Sequence, residues 1–155
     1  MDIYTSYFYQ IRFFEPYMIP LSTAVWDPKW YHNFKGQDHI FQDKRGVVNG
    51  VRFESFAPDK TCEGLCCGLK TCPTRDPSTC AFLQAYSKQL DRVHYHVLMG
   101  VLQQLSVTFA ESAQLSKPIE FVFIVHEAED NPCSERVAIQ NWFRKHGHPI
   151  QEWHR

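Results

Sequence analysis

The sequence has no excess of basic residues. It contains 16 lysines and arginines against 17 aspartates and glutamates in 155 residues, so the formal net charge is −1. A protein that binds nucleic acid irrespective of base sequence requires clustered cations that neutralise the phosphates. The composition therefore argues against a protein that binds nucleic acid non-specifically.

Long apolar runs are also missing. A membrane-spanning helix requires roughly eighteen or more consecutive apolar residues, and no stretch of the chain approaches this length. The N-terminus has no basic segment ahead of an apolar one, as a secretory signal would have. These absences predict a cytoplasmic protein without membrane contact.

The residues that are present are typical of a globular domain. Hydrophobic residues make up 44% and aromatic residues 15% of the chain, and charged residues make up 21%. This length and composition predict a single α/β domain over residues 1–155, which includes a cysteine-rich loop at 57–80.

The order of local patterns predicts the fold class. Strand patterns cover residues 2–8, 18–25, 119–125 and 149–153, and helix patterns cover 78–90, 94–115 and 134–147. The continuous apolar run at 119–125 indicates a strand buried on both faces. The second helix has a broad apolar stripe that is predicted to pack on a sheet, and its members are Val97, Val101, Leu105 and Phe109, with Leu98 and Leu102 on its flank. We therefore expect one open, mostly parallel sheet flanked by helices.

One dipeptide suggests a local exception to the parallel pattern. Asn49-Gly50 lies within a β-branched and apolar run over 47–56. Asn-Gly is the dipeptide most suited to the positive φ angles of a tight hairpin turn. The sequence thus predicts a small antiparallel hairpin at this position.

Five of the six cysteines lie within 62–80, in a stretch interrupted by glycine and proline. Such a loop buries little apolar surface and needs another source of order. Four thiolates, from Cys62, Cys66, Cys72 and Cys80, would suit tetrahedral zinc, with Cys67 as an alternative ligand. An iron–sulfur cluster with the same ligands is the second option, and disulfides are the third if the compartment is oxidising.

The sixth cysteine, Cys133, lies where a buried strand leads through a polar loop into a helix. Ligands of open α/β sheets bind at such carboxyl ends of strands, beside helix N-termini that favour anions. There the helix dipole lowers the pKa of a thiol, and Arg136 adds a positive charge one turn later. Cys133 followed by Arg136 does not have the spacing of tyrosine phosphatases, and the chain has no glycine-rich phosphate loop.

These residues form our candidate site. Cys133 is a candidate nucleophile and Glu127 a second catalytic candidate, while four further residues are candidates for ligand contact: His126, Asn131, Ser134 and Arg136. The equally simple alternative is a capped helix in which Cys133 is a small buried hydrophobe and Arg136 pairs with a neighbouring carboxylate.

The segment from Val125 to Arg136 resembles the C-terminal signature of an uncharacterised bacterial and phage family, domain of unknown function 488. In that family a strand ends in a Cys-Ala-Glu-like motif, and a Cys-His-Arg-Arg-like motif then opens a helix. Glu127, Cys133 and Arg136 match the family's Glu, Cys and last Arg. The two opening strand patterns also match, and the resemblance implies an α/β fold without implying a reaction.

The chain departs from the family pattern at three positions. Ser6-Tyr7-Phe8 replaces Gly-His-Ser, Ser22-Thr23-Ala24 replaces Asp-Val-Arg, and Cys133-Ser134 replaces Cys-His. The function expected from the sequence is binding, with or without turnover, of an anionic small molecule such as a nucleotide derivative. The alternative is a non-catalytic, metal-stapled module that binds a protein partner.

Overall fold

A six-stranded parallel sheet forms the framework of the chain. The computed structural model describes residues 1–33, 48–65 and 75–155. The strands are β1 (Asp2–Tyr7), β2 (Met18–Ser22), β3 (Tyr31–Asn33), β4 (Val48–Arg52), β5 (Glu120–Val125) and β6 (Gln151–Glu152). Their order is β3-β4-β2-β5-β1-β6, and every strand pairing is parallel. The predicted α/β fold with an open parallel sheet is confirmed.

Strand β5 lies at the centre of the sheet, as its continuous apolar sequence predicts. It pairs with β1 on one side and β2 on the other, so Phe121 lies opposite both Ile3 and Ile19. Every residue from Phe121 to Val125 is buried. A strand covered on both faces has no solvent side, which explains the absence of alternation.

The helices are α1 (Ala81–Asp91), α2 (Tyr95–Ala113) and α3 (Glu135–Lys145). All three contribute side chains to one hydrophobic core together with Phe121, Phe123 and Val125 of β5. Val122 and Ile124 project to a second, smaller core. A short 3-10 helix, Phe8–Phe13, contributes Phe8 and Ile11 to that second core.

Helix α2 buries most of the apolar stripe that its sequence predicts. Leu98, Leu102 and Phe109 are buried as expected, and Leu105 is partly buried. Val97 and Val101, however, are exposed, so the prediction is wrong for these two residues. Among the described helices, none has both the length and the apolar character to cross a bilayer.

The predicted hairpin at Asn49-Gly50 is also wrong. Strand β4 runs through this dipeptide and pairs in parallel with β2 and β3. Gly50 is instead needed for close packing, because a β-carbon there would lie 2.5 Å from Cζ of Tyr31 and closer still to its hydroxyl oxygen. That hydroxyl lies 2.7 Å from the carbonyl oxygen of Val51 and 3.0 Å from that of Pro20.

We expect Gly50→Ala to lower the free energy of unfolding by about 2 kcal/mol, because the new methyl group overpacks a site closed by the Tyr31 ring. Urea denaturation measures this change. Gly100→Ala in α2 is the matched control, since a β-carbon there meets nothing within 4 Å. That control should stabilise the helix by roughly 0.5 to 1 kcal/mol, and equal effects of the two substitutions would contradict the packing role of Gly50.

Candidate functional site at the carboxyl edge of the sheet

Parallel strands bring their carboxyl ends to one edge of the sheet, which we call the carboxyl edge. Ser22 ends β2 and Thr23 follows it, Arg52 ends β4, and His126 and Glu127 follow β5. Side chains from distant parts of the chain therefore meet there. Ligands of open α/β sheets commonly bind at this edge.

The loop that precedes α3 is held in place by hydrogen bonds from its own side chains. Ser134 is the N-cap: its hydroxyl oxygen accepts the backbone N–H of Arg136 at 3.4 Å, and its O–H donates to Glu127 Oε2 at 3.2 Å. The Asn131 side chain accepts the backbone N–H of Cys133 at 3.0 Å. Cys133 directly precedes the cap and is buried in the main core. The sequence placed this thiol correctly beside the N-cap; its role as a nucleophile stays a prediction.

Arg136 is enclosed by protein and is only 4% exposed. Its Nε donates to Glu152 Oε2 at 3.0 Å, and its two terminal nitrogens donate to the carbonyl oxygens of Ala128 and Glu127, each at 2.6 Å. The guanidinium thus joins the loop before α3 to strand β6. Its predicted contact with a ligand stays a prediction, and these three protein oxygens already bind it.

The most unusual titratable group of this edge is Glu135, the first residue of α3. It is 8% exposed, and its Oε2 lies 3.5 Å from the hydroxyl of Thr23, which donates to the Ile124 carbonyl at 2.9 Å. Burial, and secondarily the charge of Glu127, raises the pKa of Glu135 to about 8. This carboxyl is therefore mostly protonated at neutral pH and able to donate a hydrogen bond.

Sequence reasoning missed Glu135. An acidic residue in the first turn of a helix is usually a solvated partner of the helix dipole, and nothing in the local sequence shows that β2 covers it. Thr23, whose hydroxyl lies beside this carboxyl group, is 112 residues away in the chain. Only the pairing of β2 with β5 brings the two together.

His126 extends the edge with an aromatic contact. Its ring centroid lies 4.2 Å from that of Trp26 and 4.8 Å from that of Phe8. Its Nε2 lies 2.7 Å from the carbonyl oxygen of Trp26. His126 therefore anchors the segment after β2 to the end of β5, and the Trp26 side chain remains exposed to solvent.

A second polar network links the carboxyl ends of the neighbouring strands β2 and β4. The hydroxyl of Ser22 donates to Asp27, and Arg52 Nη1 lies 3.2 Å from the same Asp27 oxygen. Arg52 also pairs with Glu54 and donates to the Val25 carbonyl at 3.2 Å. These contacts hold the segment after β2 against the end of β4.

A cleft of about 600 Å³ lies beside the end of β2. Its walls combine apolar and charged groups, and its lining residues are Val25, Pro58, Asp59, Lys60, Cys62, Glu63, Gly64 and Phe82. The thiol of Cys62 donates to Gln89 Oε1 at 3.7 Å, and burial raises its pKa. The charge of Glu135 is a minor further cause of the raised pKa of Cys62.

Two of the predicted zinc ligands, Cys62 and Cys80, are buried in the main core. Cys66, Cys67 and Cys72 lie outside the described residues. In the described ranges, no group of three or more histidine, cysteine, aspartate or glutamate side chains is arranged to hold a metal ion. Zinc, and the iron–sulfur cluster as its alternative, therefore stay predictions.

Comparisons with protein-family models, with curated proteins and with solved structures found no match. The resemblance to domain of unknown function 488 stays a prediction. The function must accordingly be inferred from the site itself.

Proposed function

We propose that the chain binds an anionic small molecule, such as a nucleotide derivative, in the cleft at the carboxyl edge, beside the strand–loop–helix segment that contains Cys133 and Arg136. The observation that carries the proposal is that Val25, three residues after the end of β2, lines the cleft. Its volume of about 600 Å³ is within the usual range for small-molecule sites.

The lining of the cleft suits a ligand with a flat apolar part and an anionic part. Phe82, Pro58 and Val25 supply apolar surface, and Lys60 supplies a cation. Asp59 and Glu63 also line the cleft, but Asp59 is bound to Arg92 at 2.9 Å. The anionic group is therefore expected near Lys60, with the flat part against Phe82.

Glu135 is the proton donor that we propose for any chemistry at this edge of the sheet. A carboxyl group that stays neutral at pH 7 donates a hydrogen bond to an oxygen that carries, or gains, negative charge. The raised pKa of Cys62 keeps that thiol protonated, which disfavours nucleophilic attack by its sulfur. We therefore propose that the protein binds this ligand and that, if the ligand is turned over, Glu135 donates the proton. The catalytic roles of Cys133 and Glu127 remain predictions.

We expect a ligand from a panel of nucleotides, sugar phosphates and dicarboxylates to raise the melting temperature of the protein. A ligand present at a hundred times its Kd adds about 2.7 kcal/mol to the stability of the folded state. Lys60→Glu should remove the shift by placing a negative charge in the cleft. Differential scanning fluorimetry measures both effects.

Lys88→Glu is the matched control, because Lys88 is an exposed lysine of α1 outside the cleft lining and the substitution changes the charge equally. Equal shifts in Lys60→Glu and the parent protein would place the ligand elsewhere. No shift with any anion would favour the alternative, a metal-stapled interaction module without catalysis, for which metal chelation should unfold the protein.

A further inference from the structure

Most of the cleft wall comes from one short stretch of chain. Six of the eight lining residues lie within 58–64. Residues 54–64, which we call the cleft segment, form two 3-10 helices of three residues each, Glu54–Phe56 and Lys60–Cys62, with irregular backbone between them. Helices this short contain few hydrogen bonds of their own. The shape of the cleft therefore depends on what holds the cleft segment in place.

The cleft segment lies against helix α1, and Gln89 of that helix makes four hydrogen bonds to it. Gln89 Nε2 donates to the carbonyl oxygen of Ala57 at 2.7 Å and to that of Ser55 at 3.4 Å. Its Oε1 accepts the backbone N–H of Asp59 at 2.9 Å and the thiol of Cys62 at 3.7 Å. Two donated and two accepted bonds are the full capacity of an amide side chain, so the cleft segment satisfies Gln89 completely.

The two contacts at Oε1 lie on either side of Lys60, the cation of the cleft. Asp59 directly precedes Lys60, and its side chain caps the second 3-10 helix by accepting the backbone N–H of Thr61 at 2.9 Å. Cys62 ends the same helix. Because Gln89 is only 7% exposed, one buried amide group ties the backbone to α1 both before and after Lys60.

Two neighbours of Gln89 on α1 make weaker or more distant contacts to the cleft segment. Tyr86 and Arg92 are each three positions from Gln89 and so adjacent to it on the helix surface. Tyr86 donates to the carbonyl oxygen of Phe56, which precedes the lining residues. Arg92 pairs with Asp59, but the two side chains are 60% and 39% exposed, and exposed pairs contribute little stability. Gln89 is therefore the main polar contact at the part of the segment that carries Lys60.

We propose that Gln89 is a positioning residue for ligand binding in the cleft. It is not among the lining residues, and it acts by holding the cleft segment so that Lys60 already faces the site before a ligand arrives. This inference rests on the proposed function of the cleft. A site that is ordered in advance avoids the free-energy cost of being ordered by its ligand. Without the Gln89 amide, that cost is subtracted from the binding free energy.

Gln89→Met tests the proposal, because methionine has a similar length and no amide group. Hydrogen exchange, followed by mass spectrometry without ligand, should be faster in residues 55–63, where the Asp59 amide has lost its acceptor. Adenosine monophosphate, which joins a flat base to a phosphate, is the probe for binding. Its Kd, measured by isothermal titration calorimetry, should rise on the order of tenfold.

Two controls separate positioning from general stability. Gln84→Met makes the same change at an exposed glutamine of α1 outside the cleft lining, where the side chain donates to the Ser78 carbonyl at 3.4 Å. Leu102→Ala removes a buried side chain of α2 and lowers stability through a cavity in the main core. Both controls should keep the exchange of residues 55–63 and the Kd of the parent protein.

The outcomes distinguish this proposal from the proposed function. Unchanged exchange in residues 55–63 of Gln89→Met, or faster exchange with an unchanged Kd, overturns the role of Gln89 while the cleft remains the binding site. A parent protein that binds no adenosine monophosphate counts against the proposed function, and the binding role of Gln89 falls with it. If circular dichroism shows that Gln89→Met is unfolded, Gln89→Asn, which withdraws the amide by one methylene group, should show both changes to a smaller extent.

Discussion

Arg136→Ala is expected to lower the free energy of unfolding by about 3 to 5 kcal/mol, the usual cost of breaking a buried ion pair from one side. The substitution leaves the Glu152 carboxylate buried beside β1 without its cation, although Thr5 still donates to it at 2.6 Å. It also removes the donors that hold the carbonyl groups of Glu127 and Ala128. Urea denaturation at neutral pH measures the loss.

The controls separate this buried pair from ordinary surface charge. Arg144→Ala on the same helix removes an exposed arginine that bonds only to Asn141 in the described contacts, and should change stability by less than about 0.5 kcal/mol. Glu152→Gln in the Arg136→Ala background should recover part of the loss, because no buried charge then remains. A loss below about 1 kcal/mol for Arg136→Ala, with reduced affinity for an anion, would instead support its predicted ligand contact.

The stability of the protein should fall as pH rises from about 4.5 to about 8, because of Glu135. Its pKa is raised from 4.5 to about 8 in the folded chain, so between these values the folded state holds a proton that the unfolded state releases. Linkage then lowers the free energy of unfolding with increasing pH, by about 3 to 5 kcal/mol over the whole window. The Glu135 contribution is fully present below pH 4.5 and lost above pH 8.

Glu135→Gln should flatten this part of the profile, because an amide of nearly the same shape does not titrate. At pH 8 and above, the variant should be more stable than the parent protein. Glu127→Gln provides the second comparison. The charge of Glu127 raises the pKa of Glu135, so its removal should lower that pKa. The fall in stability should then be complete at a lower pH than in the parent protein. A parent profile identical to that of Glu135→Gln would show that Glu135 is ionised in the folded chain at neutral pH.

Local sequence was a reliable guide where one pattern decides the structure of an element. The apolar run ending at Val125 predicts a strand covered on both faces, and β5 is that strand. The helix pattern that begins at Ser134 predicts a helix start there, and α3 begins at Glu135. Each of these features is indicated by a pattern within a few neighbouring residues, so it can be recognised from the sequence without knowledge of the rest of the fold.

Asn49-Gly50 shows where local preference is overruled. The dipeptide favours a tight turn in isolation. Here it lies within β4, a strand that pairs with β2 on one side and with β3 on the other. The glycine is required by Tyr31, which is nineteen positions earlier in the chain and packs against it. No short-range signal distinguishes a glycine that turns the chain from one that makes room for a ring.

The same limit applies to α2 and to the candidate site. The periodicity of α2 identified an apolar helix, yet which of its valines would be covered depended on where the helix lies against the sheet. By itself the sequence determined the three helices, four of the six strands, the mostly parallel arrangement of the sheet and the strand end where polar groups gather. Only the tertiary structure decided that Glu135 is buried beside Thr23 and that Arg136 binds Glu152. These contacts join residues distant in the chain, and they depend on the strand order, in which β5 lies between β2 and β1 and β6 lies on the other side of β1.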